Sequence, residues 1–419
     1  MLLYFMVFNI IEEKIKQILK NEEKWCKTLK IRNPYLDSFP IHYTHKLPMF
    51  DGTAFRKYPE HAHIYDKLWV SKTQKKKCGT LENILQENQE IEFPIFIKPR
   101  HGNKSASSKG CYKIKDINEL KKHVNKKDVM WSEFYDGNET MTDFVMVNGK
   151  VTYQLTYIYS PPKNGFTDEW KYISPKNKPP KAIEEWVNVH MKGFSGICNV
   201  QYRKDSIIEV GMRPARGGAY LQSTNNVNII KNINNVVEKN VWVYLPKEQL
   251  DFKPYYSFKC FSKIPVFYLL PQHTIDIIMY TMGAKKFYEY YFEPVGNDGC
   301  VFFQFLHEDF QTGMRLKWML ETLFMFLQLF FVIMFIIPFV LIFMFKKTFV
   351  GITMLIIVTL LFSTKFFNPL SCQYGLWKLF KQQFNIVTTK KEDIINDQGE
   401  IVSDDESDSD GESDSEYEE

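Results

Sequence analysis

The chain has 419 residues, of which 45% are apolar and 16% aromatic, and this excludes a protein that is disordered as a whole. A net charge of +4 excludes a strongly basic nucleic-acid-binding protein, although residues 403–419 carry ten acidic side chains and leave 53 basic residues against 39 acidic ones elsewhere. The seven cysteines are scattered without metal-binding spacing, which is typical of free thiols in a protein that faces the cytosol.

The first 30 residues have apolar side chains at helical spacing and lack the cleavage site of a signal peptide. They predict one amphipathic helix. Two interpretations of this helix remain open: it packs on the body of the protein, or it lies on a membrane surface.

A small, polar and basic loop follows, between two predicted strands. Ile95–Ile97 form a short apolar strand that ends at Lys98, and Cys111–Lys115 alternate like a returning strand. The loop between them is rich in glycine, serine and lysine. Such a loop can cover phosphate groups with its backbone N–H groups, and the alternative is a solvent-exposed hairpin.

Antiparallel strands continue the chain. A strand over Val129–Tyr135 precedes a hairpin around Asn148-Gly149, which is a strong signal for a two-residue turn. Strands over Ile197–Tyr202 and Ile207–Val210 predict a second hairpin that turns near Asp205.

The second hairpin carries the polar residues that indicate chemistry. If it turns at Asp205, Gln201 and Glu209 face each other at a Cβ distance of roughly 5 Å. Two oxygen ligands at that spacing can share a hard cation such as Mg²⁺. Arg213 lies on the same strand face as Glu209, where it can hold a phosphate or a carboxylate, unless the two form only an exposed ion pair.

The C-terminal part is apolar and then acidic. Thr322–Phe345 contains 24 residues without a charge and Thr348–Thr364 contains 17, so we expect transmembrane helices. The flanking basic residues favour a hairpin whose outer ends face the cytosol, and a single span followed by a re-entrant or interfacial helix is the alternative. The disordered acidic tail, 403–419, has serines placed for an acid-directed Ser/Thr kinase, or it only solvates the protein.

Three motifs follow one another along the chain. They are the lysine before the small-residue loop, the pattern E-x-x-x-G-x-E at Glu133–Glu139, and V-Q-Y followed by I-E-x-x-x-R. In this order they resemble the motifs of the ATP-grasp superfamily. The nearest pattern is that of carbamoyl-phosphate synthase and the carboxylate–amine ligases, and it covers about 165 residues. The resemblance implies an α+β fold in which two α+β subdomains clamp ATP. It also implies activation of a carboxylate as an acylphosphate, which an amine or another nucleophile then attacks.

The resemblance also implies the roles of individual residues. Lys98 and Arg213 are the implied catalytic residues, and Gln201 and Glu209 the implied ligands of Mg²⁺ or Mn²⁺. The residues implied to bind ATP are Lys67, Lys98, Ser105, Ser107, Ser108, Gly110, Glu133, Phe134, Tyr135 and Glu139. Of these, Glu133, Phe134 and Tyr135 fall where the hinge of the family holds adenine, and Glu139 falls where an acid commonly holds the ribose. The residues implied to contact the substrate are Arg213, Arg216, Gly217 and Gly218.

One position departs from the family pattern. The family usually has Asn, a further metal ligand, two residues after the glutamate, whereas this chain has Gly211. Three classes of function therefore stand side by side: a membrane-anchored ATP-dependent carboxylate–amine (or thiol) ligase, a degenerate ATP-grasp scaffold or regulator that binds ATP without turnover, and a structural membrane protein.

The predicted regions follow from these patterns. They are an N-terminal region (1–62), an ATP-grasp domain (63–235), an appended β-containing region (236–315), a transmembrane hairpin (316–368), a juxtamembrane segment (369–402) and a disordered tail (403–419). The expected partners are ATP, an unidentified carboxylate and amine, membrane lipid and an acid-directed Ser/Thr kinase that acts on the tail, without nucleic acid. The expected location is a membrane, with the catalytic body and the tail in the cytosol.

Overall fold

The computed structural model describes residues 41–81, 84, 91–102, 110–161, 168–262, 272–287, 300–344, 348–354, 394–395 and 401–402. The predicted N-terminal helix of residues 1–30, the three loop serines and the acidic tail lie outside these described residues.

The described helices and strands are named here in chain order. The helices are α1 (Asp51–Lys57), α2 (Lys67–Thr73), α3 (Ile117–Lys121), α4 (Lys181–His190), α5 (Ala219–Ser223), α6 (Val227–Lys239), α7 (Lys247–Leu250), α8 (Gln272–Thr281) and α9 (Phe310–Phe343). The strands are β1 (Cys78–Thr80), β2 (Ile95–Pro99), β3 (Tyr112–Ile114), β4 (Val129–Glu133), β5 (Glu139–Val147), β6 (Lys150–Tyr159), β7 (Trp170–Ile173), β8 (Gly196–Arg203), β9 (Ser206–Gly211), β10 (Tyr255–Ser262), β11 (Lys285–Lys286), β12 (Cys300–His307), β13 (Ile394–Ile395) and β14 (Ile401–Val402). Short 3₁₀ helices span Pro59–Tyr65 and Ala215–Gly218.

Two antiparallel sheets form the body. The small sheet has the order β1-β4-β2-β3, and the large one has the order β11-β12-β10-β7-β6-β5-β8-β9. The predicted strands around the polar loop are β2 and β3, which pair with each other. With helices packed on these sheets, the α+β class predicted from the sequence is confirmed.

The strands of the region predicted as an appendage, residues 236–315, belong to the large sheet. β10 pairs with β7 on one side and with β12 on the other. α6 runs through the predicted boundary at residue 235, because its apolar stripe of Ile229, Ile230, Ile233 and Val236 is buried against the sheet.

Helix α2 joins the two sheets at β9. The side chain of Gln74, which follows α2, accepts a hydrogen bond from the Ile207 N–H at 2.6 Å and donates to the Ile207 carbonyl at 3.1 Å. Asp66 caps the helix by accepting from the Leu68 N–H at 2.9 Å. The bonds of Gln74 place the C-terminal end of α2 beside β9, the edge strand of the large sheet.

In the described part of the chain, no helix is long and apolar enough to cross a membrane. Of the second predicted membrane helix only residues 348–354 are described, and they are helical. They run against the end of α9, since a Cβ built on Gly351 would touch Ile342 and lie 2.8 Å from the Pro338 carbonyl oxygen. The two segments therefore form a tight helical pair.

Candidate active site between the two sheets

Lys98, at the end of β2, reaches across from the small sheet to the large one. Its side chain is 3% exposed, and its Nζ donates a hydrogen bond to the Ile208 carbonyl at 2.8 Å. Burial, together with the nearby charge of Lys67, lowers the pKa of Lys98 to about 8, against the opposing effect of Glu209. A buried lysine thus links β2 of the small sheet to β9 of the large one.

Lys67 approaches the same strand from helix α2. Its Nζ lies 3.4 Å from Glu209 Oε2, and only 6% of its side chain is exposed. Arg100 fixes the start of α2, because it donates from Nε and Nη2 to the two oxygens of Asp66 at 2.9 and 2.6 Å. The structure therefore brings together two lysines that the sequence separates by 31 positions.

The predicted pairing of Gln201 with Glu209 across β8 and β9 is confirmed, although a register shift after Gln201 pairs Arg203 with Ser206 and so places the turn at Lys204-Asp205. The Gln201 amide group donates to the carboxylate of Glu139. Arg203 Nη2 lies 3.6 Å from Glu139 Oε2. Burial raises the pKa of Glu139, whereas Gln201 and Arg203 act in the opposite direction. The acid expected to hold ribose thus lies directly beside one expected metal ligand.

Arg213 is paired with an aspartate that the sequence analysis did not select. Its Nε and Nη2 donate to Asp51 Oδ2 at 3.0 and 2.6 Å. Asp51 begins α1, 162 residues before Arg213. No motif marks Asp51, and the unusual Gly211 was the one signal in the sequence that another residue is needed here.

The residues of the expected adenine-binding hinge lie at the end of β4. Phe134 is covered by the ammonium group of Lys113, which is 3.9 Å from the ring centroid. Tyr135 is buried, and its carbonyl accepts from Arg203 Nη1 at 3.2 Å. Glu133 lies 3.5 Å from Lys76 Nζ. The hinge is therefore connected both to α2 and to the large sheet.

The remaining predicted site residues are placed as follows. Ser105, Ser107 and Ser108 lie outside the described residues, and Gly110 adopts a positive φ of 72° before β3. Arg216 and Gly217 belong to the 3₁₀ turn Ala215–Gly218. Gly218 was expected to allow close approach of a substrate, but it is Tyr43 that approaches it, with its OH donating to the Gly218 carbonyl at 2.8 Å.

A buried charged cluster next to this site was missed by the sequence analysis. Asp168 Oδ2 lies 2.9 Å from Lys171 Nζ, and its Oδ1 lies 3.0 Å from Lys259 Nζ. Burial alone would raise the pKa of Asp168, but the two lysines hold it well below its usual range. Asp168 and Lys171 also influence the pKa of Glu139, which places the cluster close to the predicted ribose acid. Lysines in strands are usually exposed, so only the fold reveals this cluster.

The donors suited to a divalent cation are oxygen atoms. No group of three or more His, Cys, Asp and Glu side chains in the described residues is placed to hold a metal. Glu209 and the side-chain carbonyl of Gln201, which face each other, fit Mg²⁺ or Mn²⁺ as hard cations. Such a pair is incomplete on its own and would share the cation with phosphate oxygens or with a further side chain.

No protein-family model matches the sequence, and no curated protein matches it either. Among solved structures, the chain is similar to L-amino acid ligase from Bacillus licheniformis, at 13% identity and a TM-score of 0.42, over 62% of this chain and 71% of that one. It is also similar to the ADP complex of purK, N5-carboxyaminoimidazole ribonucleotide synthetase, at 12% identity and a TM-score of 0.44, over 65% and 78%. A third is the biotin carboxylase–β,γ-ATP complex from Campylobacter jejuni, at 11% identity and a TM-score of 0.41, over 62% and 69%. All three similarities are distant.

Proposed function

We propose that the protein is an ATP-grasp enzyme, an ATP-dependent ligase that joins a carboxylate to an amine (or a thiol) through an acylphosphate. One observation carries the proposal: Lys98 and Lys67 are both buried and both bond to β9, beside Gln201 and Glu209, which pair across β8 and β9. Buried lysines next to oxygen ligands suit a polyphosphate with its cation better than an apolar ligand.

In the proposed reaction a carboxylate oxygen of the substrate attacks the γ-phosphorus of ATP. The bond from that phosphorus to ADP breaks, and an acylphosphate forms. The amine then attacks the acyl carbon, phosphate leaves, and the amine loses a proton. Mg²⁺, when bound by Gln201 and Glu209, supplies positive charge at the β- and γ-phosphates.

The protein itself contributes position and charge. Lys98 and Lys67 offset the charge of the phosphates, and Arg213 steadies the transferred phosphoryl group. The low exposure of both lysines strengthens these interactions, since charges interact more strongly away from water. The pKa of about 8 leaves Lys98 largely protonated at neutral pH, as this role requires.

The test is nucleotide binding to the full-length protein, measured as a thermal shift with Mg-ATP. A ligand at 100 times its Kd adds about 2.7 kcal/mol, which corresponds to a rise in Tm of roughly 2–4 °C. Lys98→Met should remove the shift. Lys181→Met is the matched control, since that lysine is 89% exposed on α4 and should leave the shift unchanged. A folded wild type without a shift would contradict the proposal.

A degenerate ATP-grasp protein that binds ATP without turnover is the second candidate, and Gly211 favours it because a usual metal ligand is missing. The two candidates differ in ADP release. A ligase releases ADP only when a suitable acid and amine are both added, whereas the degenerate protein shows the same thermal shift and releases none.

We propose further that the helical pair at the C-terminal end of the described chain is buried in lipid. Residues Thr322–Phe345 carry no charge, and large apolar side chains are exposed along one side of α9: Phe326, Phe330, Ile333, Ile336 and Phe343. An exposed apolar surface of this extent is typical of a membrane or protein contact. Membrane attachment, with the body and tail facing the cytosol, is the predicted location.

Flotation of the full-length protein with liposomes tests this attachment. We expect the wild type to float and a variant with Phe330→Glu and Ile333→Glu to remain at the bottom of the gradient, because charged side chains are costly in lipid. The same two charges should leave the nucleotide thermal shift intact. Equal flotation of both proteins would contradict lipid burial of α9.

A further inference from the structure

Gly211 lies at the point where the side chain of Asp51 enters the candidate site. A Cβ built on Gly211 would lie 2.8 Å from Asp51 Oδ1, a distance that real Cβ atoms essentially never show. A side chain at position 211 and the carboxylate of Asp51 therefore exclude each other. The carboxylate of Asp51, on α1, thus occupies the space that Gly211, on β9, leaves open because it has no side chain.

This space is on the metal-binding face of the strand. Side chains alternate along β9, so the Cβ direction of Gly211 is shared with Glu209, about 7 Å away along the strand. Tyr65 lies near both positions: its hydroxyl is 3.8 Å from a Cβ built on Gly211, and its ring is 3.5 Å from a Cβ built on Gly102, which is also 3.2 Å from Glu209 Oε1. Its hydroxyl accepts a hydrogen bond from the Met212 N–H at 3.0 Å.

The two oxygens of Asp51 point to different groups. Oδ2 accepts both hydrogen bonds from Arg213, at 3.0 and 2.6 Å. Oδ1 is the oxygen that lies over Gly211. The Tyr65 hydroxyl also hydrogen-bonds the Asp51 carboxylate, and this bond adds to burial in raising the pKa of that tyrosine. A carboxylate has about four acceptor sites, so two bonds from Arg213 and one from Tyr65 leave one site for a cation.

We propose that Asp51 replaces the side chain that position 211 lacks, with Oδ2 orienting Arg213 and Oδ1 serving as an oxygen ligand of the divalent cation that accompanies ATP. This inference rests on the proposed function. Together with Glu209 and Gln201 it gives three oxygen-bearing side chains, which suits Mg²⁺ or Mn²⁺, since these hard cations complete their shells with phosphates and water.

The surrounding charges determine how the cation arrives. Lys67 and Lys98 both act on the charge of Glu209, and Arg213 lies against Asp51. Three cationic side chains around two carboxylates oppose binding of a metal alone. The cation is therefore expected to bind with the nucleotide, whose phosphates reverse the local balance of charge.

The test is a titration of the full-length protein with Mn²⁺ in the presence of a non-hydrolysable ATP analogue, followed by electron paramagnetic resonance of free Mn²⁺. Asp51→Ala should weaken Mn²⁺ binding roughly 10- to 100-fold. Asp51→Asn keeps one oxygen and the shape, so it should lie between Ala and wild type. The double variant Asp51→Ala/Gly211→Asn puts an amide oxygen back on β9 and should recover most of the affinity.

Three results would overturn the inference. They are Mn²⁺ binding by Asp51→Ala as tight as that of wild type, Mn²⁺ binding by the double variant no tighter than that of Asp51→Ala, and a loss of Mn²⁺ affinity in Arg213→Met as large as that in Asp51→Ala. The last result would mean that Asp51 acts only through Arg213. Binding of the ATP analogue in the presence of Mg²⁺, measured separately, distinguishes the two proposals: its absence in wild type refutes the proposed function as well, whereas its presence together with wild-type Mn²⁺ affinity in Asp51→Ala refutes only the role of Asp51.

Discussion

Asp143 is a buried carboxyl group that holds the turn following Arg213. It accepts hydrogen bonds from Tyr157 Oη and Asn199 Nδ2, both at 2.7 Å, and from the Ala215 N–H at 2.9 Å. Burial nevertheless raises its pKa to about 6, against these three hydrogen bonds. At pH values between the ordinary pKa of an aspartate and the raised pKa of Asp143, the folded protein binds more protons than the unfolded chain. The free energy of unfolding therefore falls as the pH rises through that range.

We predict that Asp143→Asn reduces this pH dependence. An asparagine can still accept from Asn199 and Ala215 and donate to Tyr157, but it cannot ionise. Between pH 5 and pH 8 the wild type should lose about 1–2 kcal/mol through Asp143, and the variant should not. Urea unfolding at the two pH values measures the difference, and the same loss in both proteins would contradict the assignment.

For individual residues, the sequence predicts which residues belong to a motif better than it predicts the side chains that those residues contact. Lys98, Lys67, Gln201 and Glu209 were selected because family patterns keep their order along the chain, and the fold brings them together. Asp51 was not selected, because its contact with Arg213 depends on how α1 packs against β9. The binding and catalytic roles of the selected residues remain predictions.

Among the elements, the hairpin between β5 and β6 shows how a turn fixes register. Asn148 and Gly149 both have positive φ, 48° and 77°, as the two-residue turn requires. The Gly149 N–H donates to the Phe194 carbonyl at 2.8 Å, so the turn also contacts the chain before β8. A Cβ built on Gly149 would lie 2.7 Å from the Gly193 nitrogen.

We predict that Gly149→Ala is much more destabilising than Gly193→Ala. Both glycines have a φ near 80°, so both substitutions cost about 1–2 kcal/mol for the left-handed conformation. Only Gly149 faces backbone atoms, whereas a Cβ on Gly193 meets nothing within 4 Å. Thermal unfolding should place Gly149→Ala below Gly193→Ala. Equal Tm values would mean that the turn shifts to accommodate a methyl group.

The sequence predicted those elements whose signals are local. Asn148-Gly149 and the alternation around Asp205 gave hairpins that the structure confirms. The position of β10 between β7 and β12 was not predicted, because pairing between strands about 85 residues apart leaves no local pattern. Its buried Lys259 also breaks the usual alternation of apolar and polar residues.

At the scale of the whole molecule, α9 attaches the C-terminal helical pair to the large sheet. Leu316, Leu320 and Phe324 are buried against β10 and β12. Gly313 makes close packing possible, because a Cβ there would touch the Phe258 ring, with Cδ2 at 3.1 Å. The helix therefore lies against the strand with no space for another carbon atom.

We predict that Gly313→Ala destabilises the protein by about 1–3 kcal/mol, in spite of the higher helix propensity of alanine, because it overpacks this contact. Gly52→Ala in α1 is the matched control. A Cβ there meets only the flexible end of Arg56, at 4.0 Å, so this change should be neutral or slightly stabilising. Denaturant unfolding compares the two, and a stabilised Gly313→Ala would contradict the packing of α9.

The α+β class could be predicted from the sequence, because each of the two antiparallel sheets contains local hairpins. The arrangement of the sheets was not, since it depends on contacts such as those of Lys98 with Ile208 and of Gln74 with Ile207. These contacts join residues more than 100 positions apart, and no spacing rule in a single sequence encodes them.

The bonds of Lys98 and Lys67 to β9 have a consequence for which molecules the site admits. A ligand that takes over these ammonium groups has to replace a carbonyl oxygen and a carboxylate as their acceptors. A nucleoside without phosphates offers no acceptor of comparable strength, whereas a triphosphate offers several charged ones. Under the proposed function, the site therefore selects its ligand first by the negative charge of the phosphates and only then by the base.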